Sequence, residues 1–157
     1  MSTTTDAKRM RVYIRWLIRK DRPAVLEIEH NSFDYPWIEE DFIQCLRQRN
    51  CIGMVAECDN RVVGFMIYEL SKPCIHLLDF AVAPDVRHQR VGTQMVEKLK
   101  SKLTAERRNH ITLEVDETNL AAQLFFAHHG FKATKVVRNH WDCTDRDAYF
   151  MQYHYQE

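Results

Sequence analysis

A chain of 157 residues is the size of one ordinary domain and too short for two. Lys plus Arg number 22, as do Asp plus Glu, so the formal net charge is zero, without the basic excess of a dedicated nucleic-acid binder. Hydrophobic residues at 45% and charged residues at 28% exclude disordered, collagen-like and coiled-coil classes.

No run of 18 apolar residues offers a membrane span, and the polar start MSTTTDAKRM followed by an Arg-interrupted apolar stretch is not a secretory leader. The default expectation is a cytoplasmic protein. Residues 1–10 are expected to form a flexible tail and 11–157 a single domain. The five cysteines (Cys45, Cys51, Cys58, Cys74 and Cys143) contain no C-x-x-C pair. Free thiols are expected, with neither zinc nor a structural disulfide.

Residues 11–19 alternate, with Val12, Ile14, Trp16 and Ile18 on one face, and read as a first strand. Asp21 before Pro23 marks a helix start, with Asp as the cap, and the helix runs to about His30. After the loop NSFDYPW, apolar residues Ile38, Phe42, Ile43 and Leu46 predict a second helix over 38–49. Residues 52–58 and 62–70 predict a hairpin around Asp59–Asn60. The nearly continuous apolar run 75–82 predicts a central strand stopped by Pro84. A helix over 92–107, a strand over 111–115 and a helix over 119–129 closed by Gly130 follow. Strands over 131–138 and 148–155 flank the polar loop NHWDCTDRD. Interleaved strands and helices predict an α/β (α+β) class with a mixed sheet, and 75–115 supplies a parallel β-α-β unit.

The segment 81–93, AVAPDVRHQRVGT, carries the most chemical information. A strand ends at Pro84, a short basic loop follows, and Gly92 opens a helix. Unpaired amides and the dipole at a helix start favour an anion, and a glycine lets a ligand come close to the backbone. Arg87 and Arg90 add positive charge. The segment is either an anion cradle or a plain turn with solvated arginines. It is neither a P-loop nor a G-x-G-x-x-G fingerprint.

Arg87-His88-Gln89-Arg90-Val91-Gly92 resembles the pyrophosphate loop Q/R-x-x-G-x-G/A of the GNAT N-acetyltransferases, with Arg90 in place of the first glycine. LEVDETNLAAQLFFAHHGF (113–131) resembles the matching segment of the RimI-like branch with every spacing kept, and EHNSFDYPW (29–37) resembles its early loop. The resemblance spans roughly residues 11–155. It implies the GNAT fold, a central mixed sheet of six or seven strands with about four helices. It also implies acetyl-CoA as co-substrate, no metal, and an amine acceptor, with a protein or peptide N-terminus favoured. A small amine or amino-acid derivative is the second acceptor class. A non-catalytic acyl-CoA-binding domain is the rival of another kind. No nucleic-acid or membrane partner is expected, and the chain would act as a monomer or homodimer.

Carried over position by position, the resemblance implies that Phe80, Ala81 and Val82 form the splayed strand that pairs with the pantetheine arm. Arg87, His88, Gln89, Arg90, Val91, Gly92 and Thr93 would hold the pyrophosphate, and Asn119 would contact the arm. Glu114 would be the general base, taking a proton so that the amine can attack a thioester. His76 is a second candidate base, on the strand before the loop. Phe126 stands where the branch has a proton-donating Tyr. Either the thiolate leaves without an acid, or Tyr35, His140 or Tyr149 supplies the proton. His140-Trp141 also replaces a Tyr pair in the late loop. Asp79, unusual on a central strand, is either a substrate-side charge or a hydrogen-bonded buried acid. Pro36-Trp37 either walls the acceptor side or anchors the loop on the core.

Overall fold

The computed structural model describes residues 9–140 and 145–157. The strands are β1 Tyr13–Trp16, β2 Cys51–Cys58, β3 Arg61–Leu70, β4 Cys74–Val82, β5 His110–Asp116, β6 Lys132–Val137 and β7 Ala148–His154. The α-helices are α1 Arg22–Ser32, α2 Glu39–Leu46, α3 Val91–Lys100 and α4 Leu120–His128. Two short 3-10 turns, Arg19–Asp21 and Pro84–Val86, precede α1 and α3. The seven strands form one sheet in the order β1-β2-β3-β4-β5-β7-β6. All neighbours are antiparallel except β4 and β5, which are parallel, as the intervening helix α3 requires.

The alternation read from the sequence holds best in β4, whose odd residues Ile75, Leu77, Asp79 and Ala81 are buried while the even ones are half-buried. The β2–β3 turn is tight because Asp59 and Asn60 both accept positive φ, at 50° and 64°. Gly64 is required by packing. A Cβ there would lie 2.9 Å from Met95 Sδ and 3.2 Å from the Ala81 carbonyl, so α3 sits close on the sheet.

Several expectations are corrected. The first strand covers only 13–16, and Trp16 is 69% exposed and Ile18 50%. Leu17 packs on the core instead, at the end of an edge strand. Asp21 does not cap α1. Its carboxylate accepts two hydrogen bonds from Arg15, at 2.8 and 2.9 Å, and one from the Ile18 amide at 2.8 Å. The third helix ends at Lys100, not 107, because Thr104–Arg107 are all exposed and offer no apolar face to bury. Met10 belongs to the fold: its amide donates to the Gln89 carbonyl, and its carbonyl accepts from Gln94 Nε2 at 2.6 Å. Cys45 and Cys51 are joined in a disulfide across the α2–β2 connection, with Cα atoms 6.3 Å apart. Cys58 and Cys74 are free, as expected, and Cys143 lies outside the described residues.

Candidate active site

The parallel pairing of β4 with β5 stops at Leu77 opposite Leu113, although both strands continue. β5 stays on β7 up to Asp116, and β4 stays on β3 up to Val82, so the two strands part like a fork. A bulge in the β3–β4 register falls at this point, and Leu78 is the extra residue. The Ala83 amide donates to the Val63 carbonyl at 2.8 Å. In an antiparallel ladder hydrogen-bonded pairs alternate, so Ala81 also spends its main-chain groups on β3. The amides of Phe80 and Val82 therefore point into the fork.

A groove of about 370 Å³ opens there. Its walls are Leu77–Phe80 of β4, Leu113–Asp116 of β5, Asn119, Ala122 and Phe126 at α4, and Glu29, Phe33, Asp34, Tyr35 and Trp37 around the α1–α2 loop. A larger cavity of about 790 Å³ lies beside α1. Most of its charged groups pair with one another, Arg15 with Asp21 and Glu57, Arg61 with Asp85. The smaller groove is the better candidate, since it gathers the reactive groups.

His76 and Glu114 come together on adjacent strands. His76 stands opposite Thr112, so its ring reaches Glu114 two residues along the same face. His76 Nε2 lies 3.0 Å from Glu114 Oε2, and Nδ1 lies 2.6 Å from Thr112 Oγ1. The hydrogen bond to Glu114 raises the His76 pKa above its ordinary value, against the opposing effect of burial. Burial pushes Glu114 up, but the bond and charge of His76, with His140 and Lys135 nearby, hold it below the usual carboxylate value. Glu114 faces the groove, and His76 stands behind it.

The basic loop turns sharply into the start of α3. His88 and Arg90 both have positive φ, 67° and 64°, and Arg90 immediately precedes the first turn of α3. Val91, Gly92 and Thr93 form that turn, whose amides have no partners within the helix. Arg87 departs from the expectation. Its guanidinium donates to the Val82 carbonyl at 3.2 Å and to Ser32 Oγ at 3.1 Å. It ties α1 to the end of β4. Gly92 also has a reason beyond ligand approach, since a Cβ there would sit 3.0 Å from the Phe125 ring. Thr93 Oγ1 lies 3.2 Å from His129 Nε2, joining α3 to the end of α4.

Arg90 occupies a left-handed position that favours glycine. Arg90→Gly is expected to raise stability by about 0.5–1 kcal/mol in denaturant unfolding. A loss of stability would mean that the arginine side chain outweighs its backbone cost.

Asn119 caps α4, its Oδ1 accepting the Ala122 amide at 3.1 Å, and it lines the groove as well. Phe126 is 6% exposed and packs with Phe80, Phe125 and Phe131. It brings hydrocarbon alone to the groove. Of the proposed proton donors, Tyr35 lines the groove, Tyr149 does not, and His140 acts on Glu114 through charge. Trp37 does both things foreseen for it, packing on Phe42 at 5.0 Å and walling the groove. Trp141 lies outside the described residues.

Two features escaped the sequence. Arg146 bridges the α1–α2 loop and the β5–α4 turn. It lies 3.2 Å from Asp34 and 3.2 Å from Asp116, and 5.1 Å from the Tyr35 ring. Glu29 is 2% exposed and faces Asp79, which is 8% exposed. Among the described residues, no group of His, Cys, Asp and Glu could hold a metal ion, and no helix is long and apolar enough to cross a membrane.

A mixed sheet forked beside a basic helix start is the architecture of an acyltransferase, and residues 13–131 match the Acetyltransferase (GNAT) family. The chain belongs to that family and is an N-acetyltransferase. It is 27% identical to the ribosomal protein bS18-alanine N-acetyltransferase of Salmonella typhimurium, over 77% of this chain and 81% of the relative. It is 29% identical to an uncharacterized N-acetyltransferase of Methanocaldococcus jannaschii, over 82% and 83%. The Escherichia coli ribosomal-protein-S18-alanine N-acetyltransferase superposes with a TM-score of 0.82 at 24% identity, covering 94% and 96% of the two chains.

Proposed function

We propose that the protein transfers acetyl from acetyl-CoA to the α-amine of a protein or peptide N-terminus, with Glu114 and His76 acting together as the base. The observation that carries this reading is the 3.0 Å contact between the two side chains at the fork. The Salmonella relative, named for acetylating an alanine of a ribosomal protein, supports the acceptor class.

An ammonium group cannot attack a thioester, so its proton must leave first. Glu114 faces the groove and takes that proton, and His76 stabilises it on the imidazole. The amine nitrogen bonds the thioester carbon, the carbon–sulfur bond breaks on collapse, and the second proton on the nitrogen passes to water in the open groove. An amide of the splayed strand steadies the oxyanion, and Val82 offers one that points into the fork. Phe126 has no proton to give, and the CoA sulfur leaves as thiolate, since a thiol is a far stronger acid than an alcohol. The pyrophosphate lies on the amides of residues 88–93, and Asn119 meets the pantetheine arm.

Incubation with acetyl-CoA and a set of peptides, read by mass spectrometry, tests this. Acetyl is expected on the peptide α-amine. Acetyl on small amines alone would move the acceptor to the second class. A melting shift with acetyl-CoA and no transfer to any acceptor would identify a binding domain.

A further inference from the structure

Glu29 and Asp79 are the most deeply buried acids at the groove, and the base does not use them. Each spends one oxygen on a main-chain amide of a different wall. Glu29 Oε2 accepts from Trp37 in the α1–α2 loop at 2.9 Å. Asp79 Oδ1 accepts from Phe80 on the splayed strand at 2.9 Å. The remaining oxygens, Glu29 Oε1 and Asp79 Oδ2, are buried and have no hydrogen-bond donor among the described residues. The two carboxyls lie within hydrogen-bond reach of each other. Two ionised carboxylates have no hydrogen to share, and one proton between them satisfies both atoms. Since these oxygens are closed to solvent, an acceptor's ammonium cannot sit on them either.

We propose that Glu29 and Asp79 share one proton as a clasp that holds the α1–α2 loop to the splayed strand. They are thereby positioning residues for the transfer, a role that rests on the function proposed above. The clasp fixes Trp37 on one wall and the Phe80 peptide on the other, so it sets the width of the groove at the fork.

The surroundings favour keeping the proton. Asp41 of α2 adds negative charge toward Glu29. Glu114 and Asp116 of β5 line the same groove, with Asp34, Tyr35 and Arg146 at its rim. Tyr68 of β3, one rung away, is pushed up to about 12 by burial and stays neutral. Burial, then the neighbouring carboxyl, raises Asp79 well above its ordinary value. Burial likewise raises Glu29. The folded state therefore holds a proton that the unfolded chain releases, and stability falls as pH rises through the folded value.

Asp79→Asn supplies an amide donor that cannot ionise, so it keeps the clasp closed at every pH. Without ligand, the wild type is expected to lose several degrees of melting temperature as pH rises from the acid to the alkaline side that Asp79→Asn retains. Acetyl transfer by the wild type should decline on the alkaline side over the same range, and Asp79→Asn should abolish that decline. Asp79→Ala should lower kcat about tenfold and raise the acceptor KM, and Asn should restore both. Wild-type and Asn melting curves that run parallel at all pH would overturn the clasp, whether or not Asp79→Ala folds. Divergent melts with no transfer by the wild type would overturn the enzymatic reading, and the positioning role with it, while the shared proton stands.

Discussion

Glu114→Gln is expected to lower kcat at neutral pH by about a hundredfold to a thousandfold while acetyl-CoA affinity stays within about twofold. The amide keeps the size and place of the carboxylate but cannot take a proton. Glu114 lines the groove at the fork, and none of the loop residues 87–93 does, so CoA binding should not feel the change. His76→Gln is the informative partner. In the wild type Glu114 is held below its usual value and His76 above its own, each through their mutual bond. The proton removed from the amine thus ends on the imidazole, and activity should rise with pH through the raised histidine value. Without the imidazole, Glu114 works alone in the carboxylate range, so the acid limb moves to lower pH. The rate at neutral pH falls by about tenfold, because a weaker base gains less from the transfer. Rates of both variants across pH, at saturating acetyl-CoA, test this. An unchanged Glu114→Gln rate would pass the role to His76 or to water. An unmoved acid limb in His76→Gln would separate the pair and leave Glu114 acting alone.

What the sequence made legible follows from what is periodic. Strands β2 to β5 show as apolar runs or alternation and helices α2 and α3 as helical spacing in the residues themselves, and Asp59–Asn60 names its own turn. The ends were less visible. The third helix ends at Lys100 although Leu103 beyond it is buried, a boundary that charged residues with good helix propensity conceal. His76 and Glu114 were each readable as bases. Their contact depends on the register of two parallel strands separated by the whole of α3, which no local pattern encodes. Asp79 stood out as an acid in an apolar strand, but Glu29 looked like any helical glutamate until α1 was laid on β4. Arg146 gave no signal at all. It sits in a polar loop, and its meaning comes from Asp34 and Asp116, 112 and 30 residues away. The disulfide was missed for a different reason, since the expectation rested on compartment while the pairing reflects how α2 meets β2.

Gly92→Asp tests the cradle, and here the structure changes the design of the experiment. A charge at residue 92 would face the site where the pyrophosphate should sit, but a Cβ alone already meets Phe125 Cζ at 3.0 Å and Phe80 at 3.7 Å. Phe80 meets Phe125 tilted at 5.7 Å and Phe126 edge-on at 5.5 Å. Any side chain therefore disturbs packing as well as electrostatics. Gly92→Ala measures the packing part, and it should weaken CoA about threefold by shifting Phe125, with little dependence on salt. Gly92→Asp adds repulsion between like charges at a helix start that otherwise favours an anion, and should weaken CoA about a hundredfold at low salt. The excess of Asp over Ala should shrink as ionic strength rises, because charges near the surface are screened. Titrations of both variants with CoA at two salt concentrations give the comparison. Equal losses for Ala and Asp would mean that residue 92 matters only through Phe125, and the anion site would then lie elsewhere on the loop. Unaltered affinity in both would remove the cradle from this helix start altogether.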